Sequence, residues 1–459
     1  MTTPGETQAQ AHSRRGFVVG ILLCVVATAF EAMAVLTAMP AAAKDLGGHD
    51  YYAWTFTGFV IAQTFAIVAA GLACDRFGPV RPLMIGFGLF TVGVVLAAMS
   101  PTMPLLIGAR VVQGLGGGTM NLAIMVLVGL VFDGHERAVM MTGFSFAWMA
   151  PSFVGPPVAA WLSENLSWHW VFWSVLPLLA VSGALSARPL LRLPLPDLAP
   201  ADVQTRRFLA SAGMVSIGAA LVQWAGQHIE LLSLLWLAMG LVLLWFGLRP
   251  LMPAGYALAG RGLAAVINVR SALAGAFFGA QAFLPLMLTE ARGLELQWAA
   301  WTMTIGSLGW TFGSWLQSRR WLRMRRDVLI TLGALSLTLG LGVLGIGAWL
   351  PAVPVAILLI GWTFAGLGMG LAVASTSLGV MQLSPAVELG RSTSSLQVGE
   401  ALGNSLGAGL AGTLYLLAAG VLPTALGFAP LLTAMAGLAV LGTLASRRIG
   451  ELANHSTAA

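Results

Sequence analysis

Long apolar runs separated by short polar links fill most of the chain. A helix that crosses a bilayer needs about 20 mostly apolar residues, and fourteen runs come near that length. They lie at Gly16–Met39, Trp54–Ala73, Pro82–Met99, Pro104–Val131, Ala138–Leu162, Trp168–Ala187, Phe208–Gln227, Leu231–Leu248, Leu263–Thr289, Ala299–Gln317, Val328–Leu350, Val353–Gln382, Ser392–Ala419 and Leu426–Ala445. The pattern predicts an all-α integral membrane protein with about fourteen transmembrane helices.

Two groups of six runs flank a central pair, and this grouping predicts the domain organisation. Residues 1–187 form a first six-helix bundle, and residues 262–459 form a second one with a short tail. Residues 188–261 hold polar linkers and two additional helices. The added pair carries Gln223 and Glu230 as its notable polar residues, and Glu230 is expected at the outer membrane interface.

Composition supports a membrane location. Hydrophobic residues make up 58% of the chain and charged residues only 9%, whereas a soluble domain has about 25% charged residues. A soluble globule could not cover so much apolar surface. The 56 glycines also suit helices that approach each other closely inside a bilayer.

Basic residues are distributed unevenly between the two sides of the predicted membrane. When successive links alternate between the sides, one side has only Lys44 and Arg292. The other side collects Arg14, Arg15, Arg76, Arg81, Arg137, Arg188, Arg192, Arg206, Arg207, Arg249, Arg261, Arg319, Arg320, Arg323, Arg325, Arg326, Arg391, Arg447 and Arg448. Because Lys and Arg concentrate in cytoplasmic loops, we expect both termini in the cytoplasm and the chain in the inner (plasma) membrane. The scatter of these charges favours the bilayer over nucleic acid as a partner.

Nothing in the sequence is typical of an enzyme or of a cofactor site. Gly114 and Gly116 to Gly118 lie inside an apolar run without a preceding strand, so they indicate helix packing and not a phosphate loop. His135 has no second histidine at metal-ligand spacing. We therefore expect no catalytic residues, no metal and no cofactor.

Four ionisable residues stand out within the predicted spans: Glu31, Arg110, Arg270 and Glu400. A charge at that depth costs about 2.5–3.5 kcal/mol on insertion scales, so such residues are functional candidates. Glu31 lies nine residues before Pro40, roughly 13 Å below the outer end, and Arg110 lies roughly 9 Å below the same end. The two are predicted to face each other.

The predicted Glu31–Arg110 contact has two interpretations. If the helices move, the carboxylate gains or loses its arginine and its proton affinity changes, which would couple protons to a conformational step. Glu31 is then the coupling carboxylate and Arg110 its switchable partner. Alternatively, the two residues form a static ion pair that fixes helix register.

Glu400 lies roughly 13 Å from the cytoplasmic end of its run, with Gln397 and Asn404 on the same helix face. This polar stripe is expected to line a cavity, where Glu400 binds a cationic substrate or a second proton, or else to bond a neighbouring helix. Arg270, closer to its helix end, is expected to extend toward the interface. Gln113 and Trp148 are further cavity candidates, and the other aromatic candidates are Phe30, Trp224, Trp301 and Trp310.

Residues 71–78 read Gly-Leu-Ala-Cys-Asp-Arg-Phe-Gly, with Pro79, Val80 and Arg81 following. This segment resembles the signature loop of the major facilitator superfamily, although Pro79 and Val80 replace the expected basic pair. The resemblance implies gating roles for Gly71, Asp75, Arg76, Gly78 and Arg81. In such a gate, Asp75 would contact the positive N-terminus of the run that starts near Ser392.

Other runs resemble the drug:proton antiporters of that superfamily with fourteen transmembrane helices. Arg110 to Gly116 are similar to the pattern R-x-x-Q-G-x-G, and Glu31 stands where the family usually has an aspartate nine residues before a proline. Gly155 and Pro156 resemble the antiporter motif, but Pro151 occupies its leading glycine position. Trp168 to Phe172 look like the W-R-W-x-F entry to the sixth helix, with His169 in place of arginine.

The resemblance implies a major facilitator fold of two six-helix bundles plus two extra central helices. It also implies a secondary active transporter that exports small amphipathic or drug-like molecules by alternating access, with protons as co-substrate and the proton gradient as its energy source. Three alternatives stay open: a proton-coupled uptake symporter, a lipid or metabolite transporter of the same fold, and a membrane sensor that does not transport.

Overall fold

The structure is a computed structural model, and it describes residues 4–47, 52–191, 205–227, 231–256, 260–294, 296–319, 321–419, 421–423 and 425–452. Every long element in these ranges is an α-helix, as predicted. The helices are α1 (Pro4–Asp45), α2 (Tyr52–Phe77), α3 (Val80–Ala98), α4 (Met103–Val131), α5 (Gly134–Asn165), α6 (His169–Trp173), α7 (Val175–Leu191), α8 (Thr205–Gln227), α9 (Leu231–Leu251), α10 (Leu263–Glu290), α11 (Leu296–Gln317), α12 (Arg326–Trp349), α13 (Val355–Leu383), α14 (Leu389–Ala419) and α15 (Ala429–Ser446).

Thirteen of the fourteen predicted runs coincide with single helices, and the sixth run is divided. Trp168–Ala187 was predicted as one helix, but α6 ends at Trp173 and α7 begins at Val175. Pro177 accounts for the break, because it has no N–H to donate to the carbonyl of Trp173 one turn earlier. The interruption is confined to Ser174, and His169–Leu191 is still one stretch long and apolar enough to cross a membrane, as predicted.

Eleven stretches of the described chain are long and apolar enough to cross a membrane, with α6 and α7 counted as one. The helices outside this set are α8, α11 and α14, which are 23, 22 and 31 residues long. They have the length to cross but carry more polar side chains, including the predicted stripe around Glu400. The count of fourteen transmembrane helices therefore stays a prediction.

The helices form two compact units by backbone contact. The first unit comprises Met1–Val131 and Phe146–Asp202. Within it, α4 packs against both α2 and α3, and α1 packs against α7. A methyl group added to Gly86 would lie 2.7 Å from the backbone nitrogen of Met120, so α3 and α4 approach backbone to backbone. Glycines within α4 therefore serve helix packing, as the sequence indicated.

The second unit comprises Phe132–Ser145 and Val203–Ala459. Its core includes a seam of small residues between α10 and α14. A methyl group added to Gly275 would lie 2.7 Å from the carbonyl oxygen of Gly403, and one on Gly279 would lie 2.9 Å from that of Gly407. These repeats at intervals of four residues let the two helices touch along their backbones.

The two additional helices, α8 and α9, pack against each other and are attached to α14. Arg391 lies 4.6 Å over the ring of Phe208 and donates a hydrogen bond to the carbonyl of Pro250 at 3.3 Å. Ser395 donates to the carbonyl of Leu251 at 2.6 Å. The added pair therefore belongs to the second unit. The predicted interface residue Glu230 lies outside the described residues, as does the side chain of Gln223.

The start of α5 packs with α11 in the second unit, although the rest of α5 lies in the first. Thr142 donates to the carbonyl of Ser314 at 2.7 Å, and the amide of Gln317 donates to the carbonyl of Ala138 at 3.1 Å. Arg326 donates to the side-chain oxygen of Gln317 at 2.6 Å. This buried network ties α5, α11 and α12 together. The three-part division at residues 188 and 262 stays a prediction.

Candidate functional site

Glu31 on α1 and Arg110 on α4 form an ion pair, which confirms their predicted contact. The bond joins Arg110 Nη1 to Glu31 Oε1, and the two side chains are only 4% and 1% exposed, respectively. α1 ends near Pro40 and α4 begins near Pro104, and both of these ends lie on the same predicted side of the membrane. Counting inward from the two prolines therefore places Glu31 and Arg110 at similar depths. A buried charge is costly unless it is paired, and here the carboxylate of Glu31 and the guanidinium of Arg110 pair with each other.

Arg110 has further partners besides the carboxylate. Its Nη1 donates to Gln113 Oε1 at 2.8 Å, and its Nε donates to the carbonyl of Thr55 at 3.3 Å. The guanidinium also lies 4.4 Å from the ring centre of Phe59, in cation–π range. Gln113 Nε2 is buried and has no hydrogen-bond partner within the described chain. Gln113 therefore belongs to this charged centre, with one donor to spare.

Gly155 places α5 against α1 beside the ion pair. A methyl group added there would lie 3.2 Å from the Cβ of Met33 and 3.7 Å from the backbone nitrogen of Ala34. Both residues lie within one turn of Glu31. Pro151, Pro156 and Pro157 remove backbone donors from α5 in the same region. Of the predicted antiporter motif, Gly155 is therefore shown to approach α1, and the role of the motif stays a prediction.

The signature loop forms a tight turn between α2 and α3. Gly78 follows the last residue of α2 at a φ of +74°, a left-handed conformation that glycine adopts without strain, and Val80 already starts α3. Asp75 is buried at 4% exposure, and Gly71 is buried too. Arg76 and Arg81 are exposed. The structure therefore explains Gly78, whereas the gating roles stay predictions.

The second unit contains an ion pair that was not predicted. Arg270 Nη2 on α10 donates to Glu400 Oε2 on α14 at 2.8 Å. The expectation that Arg270 extends to the interface was wrong: the residue is 5% exposed and faces α13 and α14. Its Nη1 donates to the carbonyl of Val373 at 2.6 Å and to Thr376 Oγ1 at 2.8 Å. The Val373 carbonyl, the Thr376 hydroxyl and the Glu400 carboxylate stabilise the guanidinium inside the bundle, so it does not need to reach the membrane interface.

Depth counting is compatible with this pair, although it does not show that the two helices touch. Arg270 lies seven residues after the start of α10, roughly 10 Å in, and Glu400 lies roughly 13 Å in from Arg391 at the same end. The two depths match as closely as those of Glu31 and Arg110. The structure shows the contact, because the small-residue seam brings α10 and α14 together.

The polar stripe on α14 is only partly closed. Glu400 has a side chain 25% exposed, whereas Gln397 is buried and its Oε1 lacks a hydrogen-bond partner among the described residues. Asn404 is half-buried. The centre in the second unit thus has an accessible carboxylate, in contrast to the enclosed Glu31.

The predicted aromatic candidates fall into different environments. Trp310 lies 5.5 Å from Phe277, whose ring stacks on Trp362 at 4.6 Å. This cluster begins seven residues after Arg270 on α10, which places it two helical turns further along. Trp148 is 45% exposed and Trp224 is exposed too, while Phe30 is buried. The side chain of Trp301 lies outside the described residues.

The family model described as Major Facilitator Superfamily matches residues 21–341. Among curated proteins, the chain is similar to the multidrug transporter protein MdtP of Bacillus subtilis (strain 168), with 30% identity over 183 residues that make up 40% of this chain and 34% of that protein. Multidrug resistance protein 3 of the same organism is 31% identical over 38% of this chain and 34% of its own. The match thus spans about a third of these relatives.

Solved structures share the fold at low sequence identity. The human organic anion transporter TETRAN gives a TM-score of 0.70 at 15% identity, covering 94% of this chain and 99% of that one. The transporter FucP in the outward conformation gives 0.66 at 14% identity, covering 94% and 97%, respectively. These likenesses show the arrangement of helices and nothing about substrate.

Proposed function

Because the chain belongs to the Major Facilitator Superfamily, we propose that it is a secondary active transporter that exports small amphipathic molecules in exchange for protons. The main support is the ion pair between Glu31 and Arg110, two opposite charges enclosed within an apolar bundle. A carboxylate in that position is suited to carry one proton per cycle, because the neighbouring guanidinium opposes its protonation until the helices shift.

Arg110 can remain stable in both protonation states of Glu31. When Glu31 takes up a proton, the guanidinium retains Gln113 Oε1, the Thr55 carbonyl and the face of Phe59. Losing the ionised carboxylate therefore does not leave a buried cation without partners, which would cost several kcal/mol. These partners support a centre that tolerates both protonation states of Glu31, which proton coupling requires.

Coupling to substrate movement needs a mechanical link, and α5 supplies one. Gly155 packs against Met33 and Ala34, so a shift of α5 along α1 alters the surroundings of Glu31 directly. The prolines in this part of α5 remove backbone hydrogen bonds and make such a shift less costly. Export, as opposed to uptake, rests on the resemblance of this segment to the antiporter motif.

Substrate binding is proposed at the polar stripe of α14. Glu400 exposes part of its carboxylate, Gln397 has a spare acceptor, and Asn404 lies on the same face. Acceptors of this kind suit a molecule with a cationic or hydrogen-bond-donating end. Trp148 is a second candidate contact. Two relatives that carry multidrug names are consistent with amphipathic substrates, although the match covers only a third of each.

The membrane orientation is also a proposal. The sequence places nearly all exposed arginines on one side, which we assign to the cytoplasm of a plasma (inner) membrane, together with both termini. Labelling of single cysteines in intact cells tests it. A cysteine at Arg188 should be protected from an impermeant reagent, whereas one at Arg292 should react.

The test of proton coupling is transport by purified protein in proteoliposomes under an imposed pH gradient. Glu31→Gln should abolish gradient-driven transport of lipophilic cations and neutral antibiotics, yet retain counterflow exchange, which needs no net proton movement. Glu388→Gln removes an exposed carboxylate at the start of α14 and serves as the matched control. Full gradient-driven transport by Glu31→Gln would refute the proposal, and transport only in the inward direction would identify an uptake symporter.

A further inference from the structure

The link between α11 and α12 is unusually rich in arginine. Five of the eight residues from Arg319 to Arg326 are arginines, and Trp321, Leu322 and Met324 lie between them. A signal for membrane orientation needs only a modest excess of positive charge. Five arginines in eight residues exceed what membrane orientation requires.

The loop is held firmly at its base. Arg326 is 4% exposed and donates from Nη1 to the side-chain oxygen of Gln317 at 2.6 Å and to its carbonyl at 3.2 Å. Gln317 ends α11 and Arg326 begins α12, so this contact joins the two ends of the loop. The described residues of the loop therefore lie between two helix ends that are held together.

Arginines 325 and 326 are committed to contacts within the protein, whereas two others are not. Arg325 pairs with Asp327 at 2.8 Å and with Glu451 at 2.6 Å. Arg319 and Arg323 are exposed, and within the described chain no ion pair or side-chain hydrogen bond reaches them. Their charges are available to an external anion.

Aromatic side chains place this charge at the surface of the bilayer. Phe312 and Trp315 stack at 5.5 Å along the outer face of α11, and the guanidinium of Arg319 lies 4.0 Å over the ring of Trp315. Phe312 is 51% exposed and Trp321 is 66% exposed. A ladder of aromatic rings, with Phe312 exposed and Trp315 half-buried, that ends in a cation is the arrangement expected where a helix leaves the hydrocarbon for the headgroups.

The end of the chain adds positive charge nearby. The carbonyl of Arg448 accepts a hydrogen bond from Gly262 at 3.2 Å, and the carbonyl of Leu452 accepts one from Arg326 at 3.0 Å. The segment from Arg448 to Leu452 therefore runs beside the loop, bringing Arg447 and Arg261 to the same end of the second unit. Both are exposed.

We propose that the link between α11 and α12, at its described residues 318, 319 and 321–325, is a binding surface for anionic phospholipid in the adjoining leaflet, with Arg319 and Arg323 as the phosphate ligands and Trp321 as an interfacial anchor. Basic clusters beside a transmembrane helix attract anionic headgroups. The aromatic ladder favours a lipid over a soluble polyanion, because its rings lead from the headgroup level into the acyl chains.

The test compares lipid retention by the full-length protein in detergent, measured by native mass spectrometry with phosphatidylglycerol or phosphatidylcholine. The wild type should retain phosphatidylglycerol preferentially. Arg319→Gln with Arg323→Gln should reduce that preference by tenfold or more, on the order expected for two interfacial charges. The control replaces Arg206 and Arg207 by Gln, since these arginines are exposed at the start of α8. It should change the preference little.

Three results would overturn the proposal. Equal losses in both double variants would show a general charge effect, and an unchanged preference in the loop variant would show that lipid binds elsewhere. Displacement of phosphatidylglycerol by inorganic phosphate at matched concentration would show a site for free anions. Arg319→Lys with Arg323→Lys should preserve most of the preference. Because the readout is binding, a failure here leaves proton-coupled transport untouched.

Discussion

The ion pairs Glu31–Arg110 and Glu400–Arg270 each join a carboxylate to a guanidinium, but the two carboxylates differ in burial. This difference predicts unequal losses of stability when the arginine is removed. Replacing Arg110 by Met keeps much of the side-chain volume but leaves the carboxylate of Glu31, only 1% exposed, without its guanidinium. Removing one partner of a buried pair costs about 3–5 kcal/mol of the free energy of unfolding. In Arg270→Met the stranded Glu400 is 25% exposed and can bind water, so the expected loss is about 1–3 kcal/mol.

The measurement is reversible unfolding in mixed detergent micelles with increasing dodecyl sulfate, followed by circular dichroism. Adding Glu31→Gln to Arg110→Met should recover much of the stability, because the stranded group is then neutral. The corresponding addition of Glu400→Gln should recover much less. Equal losses in the two single variants, or no recovery in the first double variant, would refute the inference that burial decides the cost of a lost partner.

Three further predictions follow from close packing and backbone geometry, and the same unfolding assay checks them. Gly403→Leu should separate α10 from α14 and cost at least about 1–3 kcal/mol through overpacking, whereas Gly409→Leu, with open space around it, should cost far less. Gly78→Ala should cost about 1–2 kcal/mol because its φ is +74°, and Gly88→Ala, in open space on α3, should be neutral or stabilising. Gln317→Leu should cost about 1–3 kcal/mol by leaving a buried arginine short of an acceptor, and Gln317→Glu should cost less.

How far the sequence predicts the site depends on how clearly each residue's depth can be counted. Glu31 and Arg110 lie at known distances from Pro40, near the end of α1, and Pro104, near the start of α4, which are on the same predicted side of the membrane, so their contact was predictable. Arg270 lies close enough to a helix start that an interfacial position was equally consistent with its sequence. Only the contact of α10 with α13 and α14 shows that the Nη1 and Nη2 donors of Arg270 have partners inside the bundle.

Some structural features have no counterpart in the apolar pattern. The first residues of α5 pack with α11 and α12 in the second unit, although a hydrophobic run gives no sign of a helix shared in this way. The break between α6 and α7 was readable in principle from Pro177, because proline removes a backbone donor. In α5, however, three prolines leave the helix continuous, so the outcome depends on the surrounding helices.

The sequence by itself determined the helices, their approximate ends and the presence of four charges within the spans. These follow from local properties, since an apolar run of sufficient length has few alternatives in a bilayer. Tertiary structure alone decided that Arg270 faces Glu400, that Glu31 is enclosed while Glu400 is partly open, and that the added helices attach to α14. The helical period shows which side chains share one face of a helix, but which helices pack against that face depends on contacts between residues far apart in the chain.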